Sequence, residues 1–569
     1  MAAGAFSSRV RRFIMKLAKV FCPCLSLSKL DRWLVLVGNH PILFRTTTMG
    51  VKGLWKIVEP AVEHRSIIYL ATTTDGLLDP NEGGLRLGVD IRYYLPSFLE
   101  HRVTPIPSSI LLESCSAAMR NAGVHLQGAE IPALKLFFYQ LCQFSKAPVT
   151  MIFVFDGPHR PDVKRGKRVI DRPTPLIEHV KKLIVAFGYY FHEAPGEAEA
   201  ELAKLNQLGY IHGILTENSD AFVFGAHCVI RTTGPTVKHI CRVYTSRSIG
   251  NTSAVNLSTD GLLLFALLSG GDYHCGLAGC GPVIAHGLAA SGLGTKLVEL
   301  ITSFRGPHLR QMLAIWRDEL SYELMTNSAG YLPRRYPKLA RAIPGSFPNI
   351  AHAHKYLNPL TSWSPEYTGS QPNTNWLPNE PHIHAITRFC MDRFGWEDTG
   401  VLSSGILKRF RHNLWAGGCT ANALIIYDPV TKTFSTRTAA AQLTHVYKNP
   451  WLNKRDTTVP FQRIRISIQQ FIQLMALPRQ VLVPGLQSEM LVQVPAALLA
   501  RAMVTSSTQV QPELQDAHPA QFRKRTRNSG KGIRSAPDAS SQSRKRSRVD
   551  FMVDGTPPRT KHHQRQHND

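Results

Sequence analysis

The chain has 569 residues, with 66 Lys and Arg against 40 Asp and Glu, a formal net charge of +26 and a pI near 9.8. This length allows two or three domains with a large core, and the positive charge favours a polyanionic partner such as nucleic acid. No run approaches the ~18 uncharged apolar residues that a membrane span needs, so no membrane partner is expected. The ten cysteines show no CxxC pair and no regular spacing, which argues against a zinc site and a disulfide framework.

Residues 1–48 form a basic leader in which Asp31 is the single acidic residue. The sequence that begins at Met49, MGVKGLW, reads as the start of a protein. We therefore expect residues 1–48 to be disordered or absent from the mature protein. The alternative is a mitochondrial transit peptide, which is also basic and poor in acids.

Strands alternate with helices between Met49 and about residue 300, the pattern of an α/β domain. Leu85–Val89 and Val149–Phe155 are apolar runs that predict strands. Their near-continuous apolarity indicates strands buried on both faces of a mainly parallel sheet, whose ligands bind beyond the carboxyl ends of the strands. Acidic or amide residues follow these runs and the short run at 214–215: Asp90, Asp156, Asn218 and Asp220.

Further acids lie in GEAEA, which contains Glu197 and Glu199, and in GGDY, which contains Asp272. A single Asp after a strand is often only a helix cap or turn residue. A cluster of carboxylates in one cleft would instead repel strongly unless divalent cations neutralised it. Hard oxygen ligands favour Mg²⁺ or Mn²⁺, and two such ions roughly 4 Å apart can hydrolyse a phosphodiester.

Two segments have the composition of DNA contacts. The basic run at 158–168 follows Asp156 directly, although such a run is often only a solvated face. The sequence GCGPVIA at 279–285 predicts the turn of a helix-hairpin-helix, where glycines let backbone N–H groups approach a phosphate. Such contacts follow the shape of the DNA backbone rather than its bases.

The second half of the chain is less regular. Residues 307–381 are rich in Pro, Asn, Ser and Tyr, which predicts irregular structure and short helices. His384–Phe394 predicts a helix, and residues 420–480 a small β-rich module with strands at 427–434 and 459–468. The following basic, apolar-poor sequence predicts a disordered tail with nuclear import signals or nonspecific DNA contacts.

Together these motifs resemble the XPG family of structure-specific nucleases, and Leu54-Trp55 resembles its Holliday-junction-resolvase (GEN/Yen) branch. The resemblance implies an α/β fold with a mainly parallel central sheet flanked by helices, a PIN-like nuclease core that includes a helix-hairpin-helix region. The implied organisation is a leader at 1–48, a nuclease core at 49–300 with the helix-hairpin-helix near 272–290, an extension of the core at 301–415, a chromodomain-like module at 420–480 and a disordered basic tail at 481–569.

The resemblance also implies the site. Two Mg²⁺ ions, with Mn²⁺ as a substitute, are expected at Asp90, Asp156, Glu197, Glu199, Asn218, Asp220 and Asp272. Lys164 and Arg168 are the expected catalytic residues on the scissile phosphate. DNA contacts are expected from Gly50, Lys52, Lys164, Arg165, Lys167, Arg168, Gly279 and Gly281. Asn218 departs from the family pattern, because it stands where the Asp-x-Asp pair has its first aspartate.

The implied function is a Mg²⁺-dependent structure-specific DNA endonuclease of recombination and repair that cuts Holliday junctions and 5′ flaps in the nucleus. The short segment between Asp156 and Glu197 leaves little chain for a tall arch that threads free 5′ ends, and no sliding-clamp motif is evident. A homodimer on the junction is an open expectation. The alternatives are a flap endonuclease or 5′ exonuclease of DNA repair, a catalytically weakened junction-binding protein, and a mitochondrial location if the leader is genuine.

Overall fold

The computed structural model describes most of the chain between Gly50 and Leu499. The described residues are 50–72, 84–91, 130–161, 163–164, 167–168, 175–232, 240–396, 405–410, 414, 425–428, 433–436, 443–447, 451–453, 456–467, 469–475, 489–497 and 499. The predicted leader and nearly all of the predicted tail lie outside these ranges. No helix within them is both long and apolar enough to cross a lipid bilayer.

A seven-stranded sheet forms the centre of the fold. Its members are β1 (Glu63–Ser66), β2 (Leu85–Asp90), β3 (Val149–Phe155), β6 (Tyr190–Glu193), β7 (Gly213–Leu215), β8 (Cys228–Thr232) and β9 (Ile240–Thr245); β4 (Val163–Lys164) and β5 (Lys167–Arg168) pair separately as a small ribbon. The strand order is β1-β9-β8-β7-β2-β3-β6. The pairs among β6, β3, β2, β7 and β8 are parallel, whereas β9 joins β8 and β1 antiparallel. The predicted mainly parallel sheet is confirmed.

Strand β3 shows why the sheet is buried on both faces. All seven of its residues are buried. Because side chains alternate along a strand, Met151 and Phe153 pack in one hydrophobic cluster, while Ile152 and Val154 pack in the other. Helices cover both faces, and the acidic residues follow the carboxyl ends of the parallel strands.

The helices of the nuclease-like part follow the predicted α/β alternation. They are α1 (Leu54–Val58), α2 (Ile67–Thr72), α3 (Glu130–Phe144), α4 (Pro175–Ala186), α5 (Ala198–Gln207), α6 (Asp220–Val223), α7 (Ser246–Asn251), α8 (Thr259–Ser269), α9 (Pro282–Ala290) and α10 (Leu293–Ser303). The later helices are α11 (Gly306–Thr326), α12 (Pro337–Arg341), α13 (Ile350–Leu357), α14 (Ile383–Phe394), α15 (Gly405–Phe410) and α16 (Gln469–Met475). The predicted helix at His384–Phe394 is therefore confirmed as α14.

The prediction of only short helices after Pro307 is wrong for α11, which has 21 residues. Pro307 lies in its first turn, where a missing N–H costs no intrahelical hydrogen bond. The buried apolar residues of this helix recur at intervals of three and four and give it one apolar face: Leu309, Leu313, Trp316, Leu320 and Leu324. The proline therefore starts a helix here rather than preventing one.

The predicted β-rich module extends further than expected. Its strands are β10 (Ile425–Asp428), β11 (Thr433–Thr436), β12 (Leu443–Val446), β13 (Trp451–Asn453), β14 (Asp456–Ser467) and β15 (Glu489–Pro495). Strand β14 pairs with β12, β13 and β15, whereas β10 pairs with β11 as a separate hairpin. Placing the disordered tail from residue 481 is therefore wrong for β15, because Val492 and Val494 are buried in the core beside Phe461.

Candidate active site

The sheet brings four of the predicted site residues to one edge. Asp90 is the last residue of β2, and Asp156 directly follows β3. Since β2 pairs in parallel with both β3 and β7, Asp90 lies between Asp156 and the loop after β7. That loop contains Asn218 and leads into Asp220, the first residue of α6; both are 2% exposed, about as buried as Asp90 at 1%.

Asp156 holds the start of helix α5. Its Oδ1 accepts the N–H of Ala198 at 2.9 Å, and its Oδ2 lies 3.1 Å from Arg160 Nη1. Glu197 is the N-cap residue with extended backbone, φ −85° and ψ 136°, and its own side chain makes no capping bond. Because Glu197 has extended backbone and only Glu199 lies within the helix, their spacing of two residues does not force the two side chains to opposite sides of a helix.

Glu197 has partners from two other elements. Lys164 Nζ contacts its Oε1 and lies 3.9 Å from Asp272 Oδ2. The hydroxyl of Tyr273 donates a hydrogen bond to Glu197 Oε2. Lys164, which comes from the ribbon after β3, therefore lies inside the acidic cluster and counters part of its charge.

Asn218 bridges two acidic residues. Its Nδ2 donates to Glu199 Oε1 at 2.8 Å, and its Oδ1 accepts the N–H of Asp220 at 3.1 Å. An aspartate at this position would have no N–H to donate and would repel Glu199. The departure from the family pattern therefore removes one negative charge and adds one internal hydrogen bond.

The electrostatics of the cluster are those of crowded carboxylates. Burial raises the pKa of Asp220 well above its usual value, and Asp272, Glu199 and Glu197 raise it further, against the opposing effect of Lys164. Asp220 Oδ1 is buried and has no hydrogen-bond partner within the part of the chain that the structure describes. A buried oxygen without a partner, among carboxylates that repel it, fits a hard divalent cation.

Within the described ranges, no three His, Cys, Asp or Glu side chains already surround a common point as metal ligands. Lys164 and the Asn218 amide instead bind Glu197 and Glu199. The donor set, of carboxylate and amide oxygens, remains that of a Mg²⁺ or Mn²⁺ site.

Gly50 and Lys52 contact two parts of the site: the acidic loop after β7, which contains Asn218, and the hairpin, residues 270–281 between α8 and α9. Gly50 is buried with φ +81°, and a Cβ there would lie 2.2 Å from Asn218 Oδ1, so only glycine fits. The N–H of Lys52 donates to the carbonyl of Gly270 at 2.9 Å, while the side chain of Lys52 is exposed. Gly50 therefore lies beside the loop that contains Asn218.

The predicted helix-hairpin-helix lies between α8 and α9. Gly279 has φ +80°, and Gly281 is the N-cap of α9. Both glycines are exposed, and nothing lies within 4 Å of the Cβ position at Gly281. Backbone N–H groups at this helix start can therefore be approached from solvent.

The other predicted basic residues are placed less fully. Lys167 and Arg168 lie in β5, and their backbone alone is described, whereas Arg165 falls outside the described residues. In the described part of the segment between Asp156 and Glu197 the chain forms the β4–β5 ribbon and then α4 and β6.

Three contacts were missed from the sequence. Arg160 binds Asp156, Tyr273 binds Glu197, and Tyr356 packs its ring 4.8 Å from that of Tyr273. The sequence held a signal for Arg160, which lies four residues after Asp156, and for Tyr273, which directly follows Asp272. It held none for Tyr356, which comes from a distant part of the chain.

Residues 188–272 match the family model of the XPG I-region. This part of the chain is similar to the XPG I-region. The matched residues include Glu197, Glu199, Asn218, Asp220 and Asp272, so the I-region supplies most of the acidic cluster. The predicted resemblance to the XPG family is confirmed.

Relatives that match this chain in sequence include two flap endonucleases and a DNA repair protein. Flap endonuclease GEN-like 1 of Oryza sativa subsp. japonica is 27% identical over 268 residues, 42% of this chain and 37% of the rice protein. Flap endonuclease GEN homolog 1 of Mus musculus is 26% identical over 298 residues, 48% of this chain and 27% of the mouse protein. DNA repair protein rad13 of Schizosaccharomyces pombe is 29% identical over 235 residues, 40% and 19% of the two chains. The matched part of this chain thus covers well under half of the length of each relative.

Solved structures confirm the fold. A eukaryotic junction-resolving enzyme, GEN-1, superimposes with a TM-score of 0.57 and 23% identity, covering 81% of this chain and 98% of the other. The Holliday junction-resolving enzyme GEN1 in complex with product DNA and Mg²⁺ gives a TM-score of 0.54 and the same identity and coverage. This chain therefore shares its fold with these enzymes over 81% of its length.

Proposed function

We propose that this protein is a Mg²⁺-dependent structure-specific DNA endonuclease that hydrolyses phosphodiester bonds in Holliday junctions and 5′ flaps. The observation that carries the proposal is the buried acidic cluster with Lys164 inside it, beside an exposed glycine hairpin. Support comes from the names of the relatives, which are flap endonucleases and a DNA repair protein.

The acidic cluster would hold two Mg²⁺ ions, or Mn²⁺ in their place. The residues that would bind them are Asp90, Asp156, Glu197, Glu199, Asn218, Asp220 and Asp272. When bound, the ions supply activation of water and stabilisation of the leaving oxygen. The buried oxygen of Asp220 and its raised pKa support this role, since a cation removes the cost of ionising it there.

Lys164 would hold the scissile phosphate. Its ammonium group already lies between Glu197 and Asp272, so a phosphate oxygen entering the cluster meets a cation at the point where the carboxylates would otherwise repel it. Arg168 would give a second contact to the phosphate. Neighbouring Arg165 and Lys167 would bind the DNA backbone nearby.

The hairpin would bind the uncleaved duplex. Gly279 and Gly281 leave the backbone N–H groups open to a phosphate, and the start of α9 adds a favourable dipole. Lys52, exposed beside Gly270, would extend this contact, with Gly50 close to the cut strand. Such contacts recognise the path of the backbone, so selectivity would be for DNA structure rather than sequence.

The proposal includes a preference for junctions over free ends. It is supported by the short segment between Asp156 and Glu197, which leaves little chain for a tall arch that threads a free 5′ end and whose described part includes the β4–β5 ribbon. Action as a homodimer on the junction, a nuclear location and a chromodomain-like role for the strands β12–β15 belong to the same proposal.

One observation favours a second candidate, a junction-binding protein with weakened catalysis. Asn218 lacks the charge that an aspartate would offer to a cation, and its amide binds Glu199. Under this candidate the protein binds junctions while cleaving them slowly or not at all.

Cleavage of a panel of labelled DNAs in Mg²⁺ separates the candidates. The panel holds an intact Holliday junction, a 5′ flap and a linear duplex of matched sequence. The nuclease proposal expects cuts in the junction and the flap but not in the linear duplex. Tight junction binding without cuts would favour the second candidate, and degradation of the linear duplex from its 5′ ends would favour an exonuclease.

A further inference from the structure

Helix α13 and the turn after it touch the acidic site from two sides. The brace, as we name residues 350–364, lies far along the chain from the acids themselves. One end contacts the hairpin start that contains Asp272, and the other contacts the start of α5, which contains Glu197 and Glu199.

On the hairpin side the contact is aromatic. Tyr356 is 2% exposed, and its ring lies 4.8 Å from that of Tyr273 and 5.5 Å from that of Phe224. Its hydroxyl lies so close to Gly271 that a Cβ there would come within 2.4 Å of it. Lys355 Nζ lies 5.1 Å from the centre of the Tyr273 ring. The brace thereby fixes Tyr273, whose hydroxyl binds Glu197.

On the helix side the contact is polar. The N–H of Ser362 donates to Glu201 Oε2 at 2.9 Å, and His192 Nε2 lies 2.8 Å from Glu201 Oε1. Glu201 is fully buried, so these bonds provide its oxygens with partners. The carbonyl of Leu360 lies against Gly196, where a Cβ would come within 2.8 Å. Glu201 is therefore a buried acid of the same helix that faces the brace.

We propose that the brace sets the separation between Asp272 and the Glu197–Glu199 pair. Tyr273 and Tyr356 act as positioning residues on the hairpin side, and the hydrogen bond from Ser362 to Glu201 holds the helix side. Asp272 and Glu197 lie on different elements, and the brace contacts both. The inference rests on the proposed function, because it concerns how tightly the cluster would bind divalent ions. Partners behind metal ligands commonly change metal affinity by about 10- to 100-fold.

The test measures Mn²⁺ affinity of the full chain by electron paramagnetic resonance, together with the Mg²⁺ concentration for half-maximal junction cleavage and the melting temperature. The variants are Tyr273→Phe, which removes one hydroxyl, and Tyr356→Leu, which removes the supporting ring. Tyr244→Phe is the matched control, since the Tyr244 hydroxyl also donates to a glutamate, Glu59, at 3.0 Å. If Tyr356→Leu fails to fold, Tyr273→Phe carries the test.

Tyr273→Phe and Tyr356→Leu should each bind Mn²⁺ about 10-fold more weakly and need more Mg²⁺, and saturating Mg²⁺ should restore most of the cleavage. The control should keep wild-type Mn²⁺ affinity even if its melting temperature falls. Wild-type affinity in Tyr273→Phe would overturn the brace while leaving the proposed function intact. Wild-type protein that neither binds Mn²⁺ nor cuts DNA would overturn the proposed function itself.

Discussion

The acidic cluster and the glycine hairpin lie at adjacent places in the fold and are built in opposite ways. The cluster consists of side chains that are buried and that raise the pKa of Asp220. The hairpin offers backbone, and its Gly279 and Gly281 are exposed. Burying the carboxylates of the cluster without cations costs free energy, because they repel one another. The backbone N–H groups of the hairpin are instead open to solvent.

Under the proposed function, this difference places the chemistry in the acidic cluster and the DNA binding in the hairpin. Charged side chains can stabilise a reaction at a single phosphate, and backbone N–H groups can hold a duplex without regard to sequence. The two regions meet at Lys52, whose N–H binds Gly270 at the start of the hairpin. Substitutions should therefore separate cleavage from binding.

The largest effect is expected for Glu197→Ala or Asp156→Ala. Either change should reduce junction cleavage by more than about 100-fold, since even partners behind metal ligands can cost that much. Junction affinity, measured by gel shift, should stay near the wild-type value, because DNA binding depends on other groups. Near-normal cleavage by either variant would contradict the assignment of the cluster.

Gly279→Ala should instead weaken junction binding. A side chain at φ +80° strains the backbone by about 1 kcal/mol or more, and it also crowds the phosphate contact. Junction affinity should fall roughly tenfold, which corresponds to about 1.4 kcal/mol. Gly330→Ala is the control, with φ +77° and open space around it, and should leave affinity unchanged. Equal losses in both variants would mean that strain alone explains the result.

Asn218→Asp should change the Mg²⁺ requirement by a smaller factor. The new carboxylate adds a charged ligand but loses the bond to Glu199, so cleavage should need several-fold less Mg²⁺ while metal-free protein melts at a lower temperature. Asn206→Asp replaces another buried asparagine, one bonded to Ile211, and should lower the melting temperature without changing the Mg²⁺ requirement. No difference between the two variants would remove Asn218 from the site.

The smallest effect is expected in thiol labelling of the hairpin. Cys275 is exposed, whereas burial raises the pKa of Cys280 to about 12. At pH 8 alkylation should reach Cys275 and spare Cys280, because only the thiolate reacts and Cys280 stays protonated there. Junction DNA should slow labelling of Cys275 several-fold in peptides read by mass spectrometry. Unchanged labelling would place the DNA elsewhere.

Features that depend only on neighbouring residues could be predicted from the sequence. The apolar run of β3, the acids after the strands and the glycines of the hairpin could each be identified from neighbouring residues. The 21-residue α11 was missed because the Pro, Asn, Ser and Tyr content of residues 307–381 suggested irregular structure, whereas Pro307 lies in the first turn of the helix. Tyr356 could not be found, since its contact with Tyr273 depends on how α13 packs, and strand β15 could not, since it depends on pairing with β14.

The most direct test of the central claim is a Mn²⁺ titration of the full chain, followed by electron paramagnetic resonance, for wild type and Asp156→Ala. The account predicts two bound ions in the wild type and the loss of at least one in the variant, with both proteins still binding junction DNA. Wild-type protein that binds no Mn²⁺, or a variant that binds two as tightly as wild type, would contradict it.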